Sequence, residues 1–257
     1  MIYLTGDTHG DFRRLSTRVF PEQKQMTKED YVIVLGDFGG IWSPDPEDST
    51  ESYWLNWLEK EKPFTTLFID GNHENYDRLY GYPVRDWNGG KVHEISPSVL
   101  HLMRGQIFRL CGKTFFTFGG ARSHDIRDGI FEADDPELKH IQRMAAKGCT
   151  EYQDLFYRIN HVSWWEQELP SEEEYREGIK NLSKAGHSVD FILTHCLPTS
   201  LQLLAGEGRY QPDPLTEYLE QIRERTSYRK WFCGHYHWDH NLTETEKILY
   251  SQIVRVV

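Results

Sequence analysis

Five side chains occupy comparable places in this 257-residue chain. Asp7, Asp37, Asn72, His195 and His235 each fall two or three residues past the end of a short apolar run, and four of them directly follow a glycine. His9 and His237 lie two residues beyond Asp7 and His235. The set offers carboxylate, imidazole and amide donors and no thiolate, which suits divalent cations held through oxygen and nitrogen. There are too many donors for one four-coordinate ion. There are enough for two ions of higher coordination number, provided one carboxylate bridges them. An aspartate suits that bridge, because each of its oxygens can face a different ion.

The apolar runs that must position these residues are Ile2 to Leu4, Tyr31 to Leu35, Thr66 to Ile69, Phe191 to Leu193 and Lys230 to Cys233. None alternates polar with apolar, which fits strands buried on both faces. In open α/β sheets, loops beyond the carboxyl ends of strands converge on ligands, so the spacing predicts one shared site. Helices are predicted over Phe12 to Phe20, Glu51 to Glu61, Ser171 to Ala185 and Leu215 to Arg225, with Ser171 and Glu174 at capping-box spacing. Short β-rich runs between Lys91 and Phe118, separated by Gly and Pro, predict an antiparallel meander, and Trp238 to Val257 reads as a closing β-rich stretch. Without internal repeats or low-complexity linkers, residues 1–257 read as a single domain. The charged, aromatic segment 123–170, with helical spacing around Pro136 to Lys147, reads as an insertion or lid over one face.

Gly6-Asp7-Thr8-His9-Gly10, Gly36-Asp37, Gly71-Asn72-His73-Glu74, Thr194-His195 and Gly234-His235-Tyr236-His237 resemble, in order and type, the five motifs of the calcineurin-like metallophosphoesterases. The resemblance covers nearly the whole chain. It implies an α/β fold in which two β-sheets form a sandwich flanked by helices. It also implies one metal ion on Asp7, His9 and His237 with Asp37 bridging, and a second on Asp37, Asn72, His195 and His235. The implied activity is that of a phosphatase, hydrolysing a phosphomonoester on a small phosphorylated substrate by a hydroxide between the ions, whose Lewis acidity brings the pKa of water from 15.7 toward about 7. A phosphodiesterase or nucleotide pyrophosphohydrolase on the same site is the nearest alternative. A non-catalytic metal-binding module comes third, since it has no chemical need for a complete donor set. Manganese is the first expectation, with Fe, Co, Ni and Zn also suited to these donors. His73 follows Asn72 and matches a family histidine that stays free of metal, which implies a general acid or a donor to the phosphoryl oxygens. Glu74 either orients a neighbouring group or complements a helix N-terminus, and the second is the expectation.

The second motif continues as Gly36-Asp37-Phe38-Gly39-Gly40 and lacks the later Asp and Arg of the protein Ser/Thr phosphatases. Something else must orient His73. Arg13, Arg78, Arg122 and Arg209 lie near motifs or glycine-rich turns and could replace the missing cation, although each reads more readily as a surface arginine. The turn Gly119-Gly120-Ala121-Arg122-Ser123 could pass close to the metal pocket. Trp164 and Trp165, with Tyr152, Phe156 and Tyr157 upstream, read as packing of the inserted segment rather than a stacking surface.

Composition narrows the partners. With 29 Lys and Arg against 40 Asp and Glu, the net charge of −11 disfavours a grip on duplex nucleic acid, though one local cationic site can still hold phosphate. The apolar runs fall far short of the roughly 18 residues that cross a bilayer, so no membrane partner is expected. The N-terminus lacks the pattern of a secretory signal, and the four cysteines lack CxxC spacing. These features predict a cytoplasmic protein with reduced, mostly buried thiols.

Overall fold

The computed structural model describes residues 1–206 and 210–257. Its elements are β1 (Ile2–Thr5), β2 (Tyr31–Leu35), α1 (Ser49–Asn56), β3 (Thr65–Ile69), α2 (Tyr76–Leu79), β4 (Val84–Trp87), β5 (Gly90–Ser96), β6 (Val99–Leu102), β7 (Gln106–Leu110) and β8 (Lys113–Phe118). Then come β9 (Ile130–Phe131), α3 (Pro136–Ala146), α4 (Thr150–Gln153), β10 (Arg158–Ile159), α5 (Glu172–Lys184), β11 (Phe191–Thr194), α6 (Thr199–Gly206) and α7 (Pro214–Arg225). The chain closes with β12 (Lys230–Cys233), β13 (His240–Asn241), β14 (Glu246–Ile248) and β15 (Ile253–Arg255).

Two large mixed sheets carry the architecture, one in the order β15-β1-β2-β3-β6-β5-β4 and the other β13-β14-β12-β11-β8-β7. One buried apolar cluster draws on both, with Leu4, Ile33, Leu35, Leu67 and Ile69 from the first and Phe115, Leu193 and Phe232 from the second. Burial on both faces explains the continuous apolar runs. Phe12, Phe20, Phe38, Phe64 and Trp165 cover the other face of the first sheet. Helices α5 and α7 cover the second through Leu182, Leu215, Leu219 and Ile222, packed with Phe116, Ile192 and Trp231. This is the α/β, two-sheet sandwich flanked by helices that the motifs imply. Among the described residues, no helix is long and apolar enough to cross a membrane.

The five anticipated strands are present, and β1, β2 and β3 run parallel, as do β11 and β12. Parallel pairing puts their carboxyl ends on one edge of each sheet. The Ser171 capping box forms at the start of α5, and Asp213 builds a second one on α7.

Three expectations need correction. Phe12 to Phe20 is not an α-helix: Arg13–Leu15 forms a 3-10 helix followed by a turn, and Phe12, Leu15 and Phe20 are spaced by burial under the first sheet. The meander from Lys91 is divided, because β5 and β6 pair in the first sheet while β7 and β8 pair in the second. Cys196 and Cys233 are buried free thiols, but Cys111 is exposed.

Candidate metal centre

Loops at the carboxyl ends of β1, β2, β11 and β12 bring six candidate side chains together, and Asn72 follows Gly71, which packs against Asp37 and His195. Asp7, His9, Asp37 and His237 present donor atoms that all lie within 4.8 Å of one another, a group that could hold a metal ion. His9 Nε2 is 3.0 Å from His237 Nε2, which in turn is 3.1 Å from Asp7 Oδ2. Asp37 turns Oδ2 toward His9 Nε2 at 3.7 Å and Oδ1 toward His195 Nε2 at 3.2 Å. His195 is held by a 2.7 Å hydrogen bond between Nδ1 and the Leu35 carbonyl, which fixes its ring and leaves Nε2 facing the site. The His235 ring lies 5.0 Å from that of His195.

The geometry also passes a test of fit. Asp7 Oδ2, Asn72 Oδ1 and His195 Nε2 are buried and make no hydrogen bond, the first and last facing only His237 at 3.1 Å and Asp37 at 3.2 Å. Buried polar atoms without hydrogen bonds are costly, and such atoms on candidate donors suit cation ligands. The backbone agrees. His9, Asp37, His235 and His237 have φ of 45°, 46°, 69° and 55°, the left-handed region that non-glycine residues rarely adopt and that clusters at functional sites. Gly71 is required by close approach, since a Cβ there would lie 2.1 Å from Asp37 Oδ1.

Charge is concentrated to match. Burial opposes ionisation of Asp37, yet His195, His73 and His9 outweigh it and hold the carboxyl far below the usual range. Burial likewise opposes protonation of His195, but Asp37 beside it raises that imidazole to about 9. A proton and a cation therefore compete for His195 Nε2. Burial lowers His9 and His235, the latter strongly.

A family model for calcineurin-like phosphoesterases matches residues 1–239. The chain belongs to that family. The family is one of metal-dependent phosphoric ester hydrolases. Lariat debranching enzyme A of Xenopus laevis is 24% identical over 226 residues, which is 77% of this chain and 41% of the relative. The human lariat debranching enzyme is 22% identical over 225 residues, 77% and 40% of the two chains. The calcineurin-like chain thus spans about two fifths of the length of these relatives. Among solved structures, phosphopantetheinyl hydrolase from Mycobacterium tuberculosis aligns with 97% of this chain and 89% of its own at 12% identity and a TM-score of 0.41.

Several neighbours of this phosphoesterase site differ from what sequence suggests. The His73 ring lies 5.1 Å from His9 and 5.6 Å from Trp42, and its backbone N–H donates to Asp37 Oδ1 at 2.8 Å. Glu74 does not cap a helix, a role taken by Asn75 on α2. Instead its buried Oε1 accepts the Phe38 N–H at 2.7 Å and straps the loop that carries Asp37. Burial pushes that carboxyl well above its usual range, with Asp37 adding to the rise.

The arginines are mostly committed. Arg78 binds Glu51 and the Ser43 carbonyl, both at 2.6 Å, and Arg13 lies exposed on Asp11. Arg122 is exposed, and Arg209 lies outside the described residues. Arg158, which carries no motif signal, pairs with Asp125 at 2.7 Å, and its charge helps to lower His73. Trp165 is core, as expected, and its Nε1 donates to Asp77.

Two further neighbours, His124 and Glu168, are not singled out by the sequence, whereas Ser123 ends the turn expected near the pocket. His124 Nε2 faces His235 Nε2 at 3.1 Å, and Ser123 and Glu168 stand behind Asn72. The Gly-rich turn hints at Ser123 and His124, whereas nothing local marks Glu168 among 40 acidic residues.

Proposed function

We propose that this chain is a dinuclear phosphoesterase. Asp7, His9 and His237 with Asp37 hold one divalent cation, and Asp37, Asn72, His195 and His235 hold the second. The carrying observation is that Asp37 turns one oxygen toward His9 and the other toward His195. When bound, two such cations act as Lewis acids that make a nucleophile available near neutral pH and neutralise charge on phosphorus. His73 stands beside His9 at the edge of the site. Burial, opposed by Asp37 and aided by Arg158, lowers its pKa, so near pH 7 it is a neutral imidazole. That state favours donation of an N–H to a phosphoryl or leaving oxygen over delivery of a full proton.

Charge and the relatives bear on the ester class. A phosphomonoester brings up to two negative charges and a diester one. Arg158 and Arg78 are already paired with carboxylates, and the relatives are lariat debranching enzymes. Both points favour a phosphodiester over the phosphomonoester expected from the motifs. Four free cysteines support a reducing, cytoplasmic setting.

The test is hydrolysis by manganese-loaded protein of bis(p-nitrophenyl) phosphate against p-nitrophenyl phosphate. A higher kcat/KM on the diester is expected. The reverse ranking restores the phosphomonoesterase, and cleavage of dinucleoside polyphosphates alone identifies a pyrophosphohydrolase. Stoichiometric metal without turnover on any of them means a binding module.

A further inference from the structure

Asn72 is 6% exposed, and its amide can face the site with either end. Only the oxygen is a metal ligand, since an amide NH2 has no available lone pair. Nδ2 points to Ser123 Oγ at 3.4 Å, and Oδ1 is the buried atom without a partner. Ser123 Oγ in turn donates to Glu168 Oε2 at 2.7 Å. Glu168 Oε1 receives the Ser123 N–H at 3.1 Å and Trp164 Nε1 at 2.6 Å. Ser123 and Glu168 are each 2% exposed, so these bonds are shielded from bulk solvent. Burial raises the Glu168 carboxyl to about 7 against these three donors.

The direction of the chain of bonds is dictated by chemistry. Above pH 7 the Glu168 carboxyl is largely ionised and only accepts, so the Ser123 hydroxyl gives its single hydrogen to Glu168 Oε2. Its oxygen can then only accept from Asn72, which requires the NH2 end of the amide. The carbonyl oxygen is thereby left facing the cations. We propose that Glu168, acting through Ser123, is the positioning residue that sets which end of Asn72 faces the second cation. This rests on the assignment of Asn72 to that cation made above. It also gives the far end of segment 123–170 a task at the site.

The experiment is a cycle on the full chain at pH 8, where Glu168 is ionised, reading manganese affinity and stoichiometry by calorimetry and elemental analysis. Glu168→Gln keeps the shape but places an NH2 opposite Ser123. The hydroxyl then donates toward position 72 and turns the amide oxygen away from the site. The second ion should bind about 10- to 100-fold more weakly while the first is unchanged. In an Asn72→Asp background both ends are oxygen, so Glu168→Gln should leave second-ion affinity unchanged or raise it. Equal weakening in both backgrounds overturns the relay, as does wild-type affinity in Glu168→Gln alone. If Glu168→Gln does not fold, Ser123→Ala replaces it in the cycle, with the same expected loss confined to the Asn72 background. Wild-type binding of both ions by Asn72→Ala would instead overturn the ligand assignment itself.

Discussion

Asp37 Oδ1 stands 3.2 Å from His195 Nε2, which links the turn after β2 in one sheet to the turn after β11 in the other. With its second oxygen toward His9, Asp37 is the one candidate ligand facing both halves of the centre. Asp37→Asn should therefore weaken both ions, where loss of a ligand to one ion weakens that ion most. Elemental analysis after dialysis should show less than one ion per chain, and turnover should fall at least about 100-fold. Retention of both ions and full activity would remove Asp37 from its role.

His73 makes a different prediction. It lies at the margin and not among the cation donors, so His73→Ala should keep wild-type metal content while kcat falls by about 10²- to 10³-fold. Unchanged turnover in a fully metallated variant would show that the imidazole does not assist the reaction.

Glu74 and Phe38 separate stability from chemistry. Removing the carboxylate strands a buried N–H, so Glu74→Ala should cost about 1–3 kcal/mol in denaturant unfolding. Glu74→Gln keeps an acceptor for Phe38 and relieves a carboxylate that burial already disfavours, so its stability should lie close to that of the parent. A large loss in Glu74→Gln would mean that the negative charge itself is needed.

A buried polar chain behind the site predicts the response to acid. His93 Nδ1 meets His101 Nδ1 at 2.9 Å, and His101 Nε2 meets Asp70 Oδ1 at 3.0 Å. Burial, then the neighbouring His101, lowers His93 to about 4. The unfolded chain takes up this proton near pH 6.5 and the native chain only near 4, so the stability from a neutral His93 is complete above about 6.5. It is lost as pH falls from there toward 4. Urea midpoints should drop across that window, and His93→Gln should flatten the slope. Burial also opposes the Asp70 charge, but Arg104 and His101 hold its carboxyl well below the usual range, so its contribution persists to lower pH.

The legible part of this molecule is the part governed by short-range rules. The runs ending at Leu4, Leu35, Ile69, Leu193 and Cys233 reveal strands because burial on both faces leaves few polar positions in them. Ser171 and Glu174 announce α5 because the cap is completed within one turn. Phe12 to Phe20 misleads because an irregular segment pressed under a sheet can space its apolar residues like a helix. The runs from Lys91 to Phe118 have the right hairpins, but which sheet each joins is decided by packing at long range. Glu74 and Glu168 are hidden for a related reason, as their partners lie 36 and 45 residues away.

The candidate ligands are drawn from both sheets, which meet through residues such as Leu35, Leu193 and Phe232. The geometry of the candidate centre is therefore tied to the alignment of two large slabs, not to any single loop. A cavity cut into that shared layer, as by Leu193→Ala, would let one slab slide on the other and detune catalysis while every donor stayed intact. Loss of function in this protein can thus arise at positions that touch neither metal nor substrate.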